Sequence, residues 1–283
     1  MADEAPRSRA ARQAAEAALV RVVHHYGARP AFVVLGGLVP ELLCAGSLVQ
    51  HAGTNDVDVQ VDLEIASGSV NTLRPERALQ KAGFKPENER IWRWIDRDTI
   101  PASQVKFELL ADLDDQPAGS TVRFDKCVSL GAANLRGTRF AARDAVTHTL
   151  SASIDGVPRT VEVSFAGLAG FLLAKAAAAH SRRKSKDWYD IAFVLLHNRE
   201  GGPSPAVAAV RSKFGDELTG AMRRALDDLL ASFQSAHAQG PDAYVGQMLA
   251  NDPELDAATL RADAILAVEM FHTGLFATSG KAP

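Results

Sequence analysis

The sequence predicts an α/β or α+β amino-terminal core followed by a carboxy-terminal part made of helices. Three observations lead there. A short apolar run, Ala31 to Leu35, ends in Gly36-Gly37 and gives way to a helical stretch at roughly 38–45. The octet 56–63, DVDVQVDL, alternates between polar and apolar residues. From residue 166 onward helical spacing takes over, and beyond the break Gly201-Gly202-Pro203 the stretch 204–277 reads as amphipathic helices without a chemical motif.

Each element has its own signal. In residues 8–26, Ala11, Ala14, Ala15, Ala18, Leu19, Val22 and Val23 recur at helical spacing, and Gly27 supplies a stop. Ala31 to Leu35 is continuously apolar, as a buried strand would be. In the octet, Val57, Val59, Val61 and Leu63 face one side, and Asp56, Asp58, Gln60 and Asp62 the other. Arg74 to Ala82 reads as a helix with Pro75 in its first turn and Gly83 past its end. Ile91 to Ile95 and Val105 to Leu110 are strand candidates, and 121–165 is expected to stay mostly extended. Within it, 147–164 forms a hairpin about Asp155-Gly156, a favoured tight-turn pair. Ala166 to His180 is an Ala- and Leu-rich helix, the charged run 182–186 interrupts it, and helical spacing resumes over 187–197. A division at 165/166 into an α/β core with an added hairpin and a helical domain follows.

Composition narrows the function classes. The chain has 283 residues, 47% of them hydrophobic, and a net charge of -3 from 31 basic and 34 acidic side chains. Near-neutral charge excludes a protein that coats nucleic acid by bulk electrostatics, so any such contact must be local. Cys44 and Cys127 stand alone, which excludes a disulfide framework and a CxxC zinc site and fits a reducing compartment. No apolar run is long enough for a bilayer. The start reads as a frayed end entering an Ala-rich helix rather than a secretory signal, so a cytoplasmic protein is expected, without membrane attachment.

Chemistry concentrates in Gly36-Gly37 and in the stretch Gly53 to Asp58, GTNDVD. Residues i and i+2 of a strand project from one face, with Cα atoms ~6.5–7 Å apart at about 3.3 Å per residue. Asp56 and Asp58 are thereby placed to share hard divalent cations, Mg2+ or Mn2+, which take oxygen ligands and leave positions for water and phosphates. Glycines at a strand end before a helix permit close approach of backbone N–H groups to a triphosphate. Alone, a Gly-Gly is more often a tight turn and an alternating acid pair more often a solvated face. Together, in this order, they point to phosphate chemistry.

These residues carry a resemblance. VVLGGLVPELL and HAGTNDVDVQVDL resemble the first motif of the DNA polymerase β-like nucleotidyltransferases. LLAKAAAAHSRRKSKDWYDIAFVLL resembles the later motifs of the AbiEii/MenT toxin branch, a lysine-bearing helix followed by a basic segment and a KDxxD helix. The resemblance covers about residues 30–198. It implies a mixed sheet flanked by helices. It also implies that Gly36 and Gly37 cradle nucleotide phosphates, that Thr54 precedes the acids as the motif requires, and that Asp56 and Asp58 bind metal. Lys175 would engage the nucleotide, and of Asp187 and Asp190 the latter is the better functional candidate. Such enzymes present a third carboxylate on a neighbouring strand. Glu108 is the choice, to hold metal with Asp56 and Asp58 and to deprotonate or orient the acceptor hydroxyl, and Asp112, of the same strand parity, is the runner-up; the competing reading of Glu108 is an edge-strand residue facing water. Leu38-Val39-Pro40 after the glycines, and His51 and Gly53 where an arginine is common, depart from the pattern.

Lys175 lies in an otherwise apolar helix: it either snorkels to the surface of a partly buried helix or, being costly there unpaired, is paired by a triphosphate or an aspartate. On one continuous helix Arg182 and Lys186 would share its face, at about 100° per residue. They would then contact phosphates of nucleotide or RNA; the alternatives are a loop and a solvated charge run. Trp92 and Trp94 share a strand face and read as core or rim. His24 and His25 face different ways and make a poor metal pair.

The leading expectation is a metal-dependent nucleotidyltransferase that moves a nucleoside monophosphate from an NTP to an acceptor. The resemblance implies a tRNA 3′ end as that acceptor and a cognate antitoxin as protein partner. Transfer to a small molecule or a protein hydroxyl, a non-catalytic nucleotide-binding or interaction module, and a purely structural helical adaptor are the competing expectations.

Overall fold

A computed structural model describes residues 8–66, 69–88, 90–97 and 104–277. The frayed start expected before residue 8 lies outside them. In chain order the elements are α1 (Arg9–Tyr26), β1 (Val33–Leu35), α2 (Val39–Leu43), β2 (Asp56–Gln60), α3 (Asp62–Ala66), α4 (Ser69–Lys81), β3 (Phe84–Glu87), β4 (Arg90–Asp96), β5 (Lys106–Ala111), β6 (Thr121–Arg123) and β7 (Gly131–Asn134). They continue as α5 (Arg139–Arg143), β8 (Ala145–Ile154), β9 (Val157–Ala166), α6 (Leu168–Arg182), α7 (Ser185–His197), α8 (Pro203–Phe214), α9 (Gly220–Ala231), α10 (Gln239–Asn251) and α11 (Ala257–Phe276). The protein is α+β, with a mixed open sheet and flanking helices. Two compact units divide it: Met1–Val39 with Ala52–Phe171, and Pro40–His51 with Leu172–Pro283.

The first unit is built on the sheet. Its strands run β3-β4-β5-β2-β1-β9-β8, with β7 pairing the far end of β5 and β6 pairing β7. β1 is antiparallel to β2 and parallel to β9, and β2 is parallel to β5. The apolar side of the alternation, Val57 and Val59 on β2 with Phe107 and Leu109 on β5, is fully buried. α1 forms as its spacing requires. Ser8 caps it, its Oγ accepting from the Ala11 N–H at 3.2 Å, and Gly27 ends it at φ 77°. Its buried stripe, including Ala15, Ala18, Leu19 and Val22, packs on α4 and on β8 and β9. The hairpin about Asp155-Gly156 forms as expected, with φ 51° and 77° at the two turn residues.

Four local expectations need correction. The alternating strand stops at Gln60, and Asp62 opens α3. Asp62 is diverted because its Oδ1 accepts the Asp112 N–H at 3.0 Å, tying the strand end to β5. α4 starts at Ser69 rather than Arg74, so Pro75 lies inside it. The missing N–H is tolerated because Ala78, Leu79 and Ala82 are buried and hold the helix down. The stretch 121–165 is not all extended: α5 interrupts it, with Phe140 and Ala141 buried. The basic run is neither a helix extension nor a long loop. α6 runs to Arg182, the chain turns at Arg183 with φ 48°, and α7 begins at Ser185. Lys175, Arg182 and Lys186 therefore do not line one continuous helix.

The second unit is helical. α7 packs on α10 and α11, and α11 on α8 and α9. Asp187 through Leu195 are buried without interruption, so α7 is the central helix, enclosed on all sides. Among the described residues, no helix is long and apolar enough to cross a membrane. Neither Cys44 nor Cys127 is in a disulfide.

Candidate functional site

The first unit gathers acids on one face of its sheet. Asp58 of β2 sits between Leu35 of β1 and Glu108 of β5 in the ladder, and Asp56 sits beside Lys106. Partners in register share a face. Asp56, Asp58 and Glu108 therefore point the same way, opposite the buried valines. Their side chains are largely enclosed without being sealed: Asp56 keeps 13% of its side-chain surface and Glu108 14%.

The glycine turn lies on these acids. Gly36 has φ 86°, and a Cβ there would fall 2.0 Å from Asp58 Oδ2. A Cβ on Gly37 would fall 2.6 Å from Thr54 Cβ. Both positions need glycine for close approach, with the left-handed backbone an added demand at Gly36. The two motifs, some twenty residues apart in the chain, are thus one packed feature. Thr54 is buried, and its Oγ1 accepts the Asp56 N–H at 3.0 Å, fixing the entry of β2 rather than presenting a free hydroxyl.

The acids have cationic neighbours that the sequence does not announce. Arg93 Nε donates to Glu108 Oε1 at 2.7 Å, and Arg93 Nη1 to Glu87 Oε2 at 3.2 Å. Burial works against the charge on Arg93, but Glu108 and Glu87 outweigh it and hold the guanidinium above its usual range. Lys106 Nζ lies 3.8 Å from Asp56 Oδ1. Asp112, just past β5, is committed elsewhere. Its Oδ2 accepts from the N–H groups of Gly137 at 2.7 Å and Arg139 at 3.3 Å, anchoring the start of α5. That leaves Glu108 as the carboxylate beside Asp58.

Asp56 and Asp58 offer hard oxygen donors from one strand face, a donor set suited to Mg2+ with its retained waters. Glu108 could join through Oε2, its Oε1 being held by Arg93. Among the described residues, no three or more His, Cys, Asp or Glu side chains are already gathered as a metal cluster. Asp56 and Asp58 are thus the two carboxylates that could hold such an ion.

The second unit holds a different constellation. Lys175 Nζ on α6 donates to Asp190 Oδ2 at 2.6 Å and to Asp187 Oδ1 at 3.1 Å. Arg182 grips Asp187 with two bonds of 2.7 Å each. His51 Nε2 lies 3.0 Å from Asp190 Oδ1, and its ring stacks on Tyr189 at 5.1 Å and meets Phe193 edge-on at 5.0 Å. Asp187, Asp190 and the His51 side chain are completely buried. Burial alone would raise the Asp187 carboxyl, but Lys175 and Arg182 override it and hold it below the carboxylate range. Aspartate, one of the two partners expected for Lys175, pairs with it here. Lys186 is half-buried at the start of α7. His51 is the residue that sequence reading missed here. It lies 139 positions from Asp190, and no periodicity links them.

Comparison of the sequence with models of known protein families and with curated proteins found no match.

Proposed function

We propose that the chain is a metal-dependent nucleotidyltransferase. Its support is one level of the sheet, where Asp58 stands beside Glu108 of the parallel strand β5 and against Gly36 of the turn leaving β1. Mg2+ or Mn2+ would be held by Asp56 and Asp58 and, when bound, would supply charge stabilisation at the transferred phosphoryl group and the leaving pyrophosphate. The backbone at Gly36-Gly37 would approach the NTP phosphates without side-chain hindrance. Glu108 would accept the proton of the acceptor hydroxyl at Oε2, leaving Oε1 on Arg93. The hydroxyl oxygen bonds to the α-phosphorus, the bond from that phosphorus to the bridging oxygen breaks, and pyrophosphate departs.

The acceptor we propose is a tRNA 3′ end, in the manner of a toxin restrained by a cognate antitoxin. That rests on the motif resemblance at Lys175 and the 186–190 segment. The test is incubation of full-length protein with each labelled NTP, Mg2+ and total tRNA. Label should pass to tRNA with the wild type and not with Asp58→Ala. Absence of transfer with every NTP, or transfer undiminished in the variant, refutes the proposal. Growth arrest on expression, abolished by Asp56→Ala, would separate the toxin version from transfer to a small molecule or protein hydroxyl.

The Arg93–Glu108 bond favours one other reading, a nucleotide-binding module without turnover, because it engages the acid that would take the proton. Tight Mg–NTP binding with no pyrophosphate release identifies that case.

A further inference from the structure

The sheet ends differently on its two sides. At one end β3 has four residues, includes Lys85, Pro86 and Glu87, and carries a register shift between Pro86 and Glu87. β6, beside β7, has only three residues. Short, charged, proline-bearing or bulged edges resist pairing with another strand. β8 has none of these guards. It is ten residues long, Ala145 to Ile154, without proline or a carboxylate, lysine or arginine, and it pairs in continuous register with β9.

The turn tells which backbone groups face outward. A two-residue turn closes on a hydrogen-bonded pair, here Ile154 with Val157, and pairs of this kind then alternate along the ladder. The even-numbered residues of β8 bond inward to β9. Ala145, Thr147, Thr149, Ser151 and Ser153 turn their N–H and C=O groups to the open side. β9 is the one strand that β8 pairs with among the described residues.

We propose that this edge pairs with the same edge of a second copy of the chain, antiparallel, about a two-fold axis through Thr149. The strand's own sequence selects the occupant. In that register Thr149 meets Thr149, Thr147 meets Ser151 and Ala145 meets Ser153, all through outward-facing backbone groups. On the other face His148 meets Leu150 and Val146 meets Ala152. Hydroxyl residues meet hydroxyl residues, the exposed Val146 gains an apolar neighbour, and no like charges are opposed. The Arg29 Nη1 bond to Thr147 Oγ1, 3.3 Å long and exposed, lies two residues from the axis and can persist beside it. The pairing does not depend on the catalytic reading.

The register makes the test specific, because residue 149 would oppose itself. Sedimentation equilibrium of the full chain at rising concentration should show a monomer–dimer equilibrium. Thr149→Lys alone and Thr149→Asp alone should each weaken the dimer at least tenfold, since each opposes like charges across the axis. An equimolar mixture of the two variants should restore it. Circular dichroism spectra of both variants should match the wild type, with the melt of Thr149→Asp lowered slightly because it faces Glu162 across the ladder and that of Thr149→Lys not lowered. A wild type that is monomeric throughout, which leaves the edge to a strand of some other protein, overturns the proposal. So does a dimer indifferent to both variants, or one that the mixture fails to restore.

Discussion

Two charge clusters, one in each unit, are arranged in opposite ways. In the first, Asp56, Asp58 and Glu108 share a sheet face, keep part of their surface exposed, and have the partly exposed Lys106 and Arg93 as neighbours. In the second, Lys175, Asp187, Asp190 and His51 are enclosed around the central helix α7, and the chain of bonds satisfies each in turn. An open set can exchange partners for a ligand. A closed set fixes helices, because removing one member leaves a charge stranded in a medium that cannot solvate it.

The largest effect should come from breaking the closed set. Lys175→Met removes the cation that bridges the buried Asp187 and Asp190. Urea unfolding should show a loss of roughly 3–5 kcal/mol. A loss below ~1 kcal/mol would mean that the cluster behaves like a surface pair.

Gly36→Ala comes next. It imposes a left-handed backbone on alanine at a cost of roughly 1–3 kcal/mol, and its methyl displaces the Asp58 carboxylate. Stability should fall by that amount, and nucleotidyl transfer should fall to the level of Asp58→Ala. Gly119→Ala, where φ is also positive but a Cβ would meet nothing within 4 Å, should lose stability alone. Equal effects of both on transfer would break the link between the turn and Asp58.

Acid titration should separate Asp187 from Glu64 by sign. The Asp187 carboxyl is held below its ordinary 3.8 in the folded state, so its contribution is complete above that pH and is lost as pH falls through the lowered value. Glu64 in the first unit is raised above its ordinary 4.5, chiefly by burial, despite accepting from Tyr26 Oη at 2.9 Å and the Ala31 N–H at 2.8 Å. Its folded form takes up a proton first, so its contribution is complete below 4.5 and is lost as pH rises through the raised value. Compared across pH by denaturant unfolding, the wild type should gain on Glu64→Gln as pH falls from 7 to 4.5. Its advantage over Asp187→Asn should hold in that window and shrink only below 3.8.

The smallest effect is expected at Arg93. Its bond to Glu108 is partly exposed, so Arg93→Gln should cost no more than ~1 kcal/mol. It should tighten Mn2+ binding if Glu108 is then free to join Asp56 and Asp58. Unchanged Mn2+ affinity would restrict the site to the two aspartates.

Part of this contrast is legible in the sequence and part is not. Alternation alone puts Asp56 and Asp58 on one face, and a lysine amid alanine and leucine calls for a partner at Lys175 without saying which. The Asp155-Gly156 hairpin follows from turn chemistry. What escapes is whatever depends on register or distance in the chain. Arg93 meets Glu108 because β4 and β5 pair at that level. His51 reaches Asp190 from a loop far upstream. The helix at Asp62 is set by a hydrogen bond from Asp112, fifty residues on, which local spacing does not encode.

The central claim is that Asp56 and Asp58 together make a divalent-ion site. Calorimetric titration of Mn2+ into the full-length protein, with a non-hydrolysable NTP present, tests it most directly. Wild type should bind Mn2+, and Asp56→Asn/Asp58→Asn should not while keeping the wild-type circular dichroism spectrum. Binding unaltered by the double substitution, or no binding to the wild type, would contradict the account.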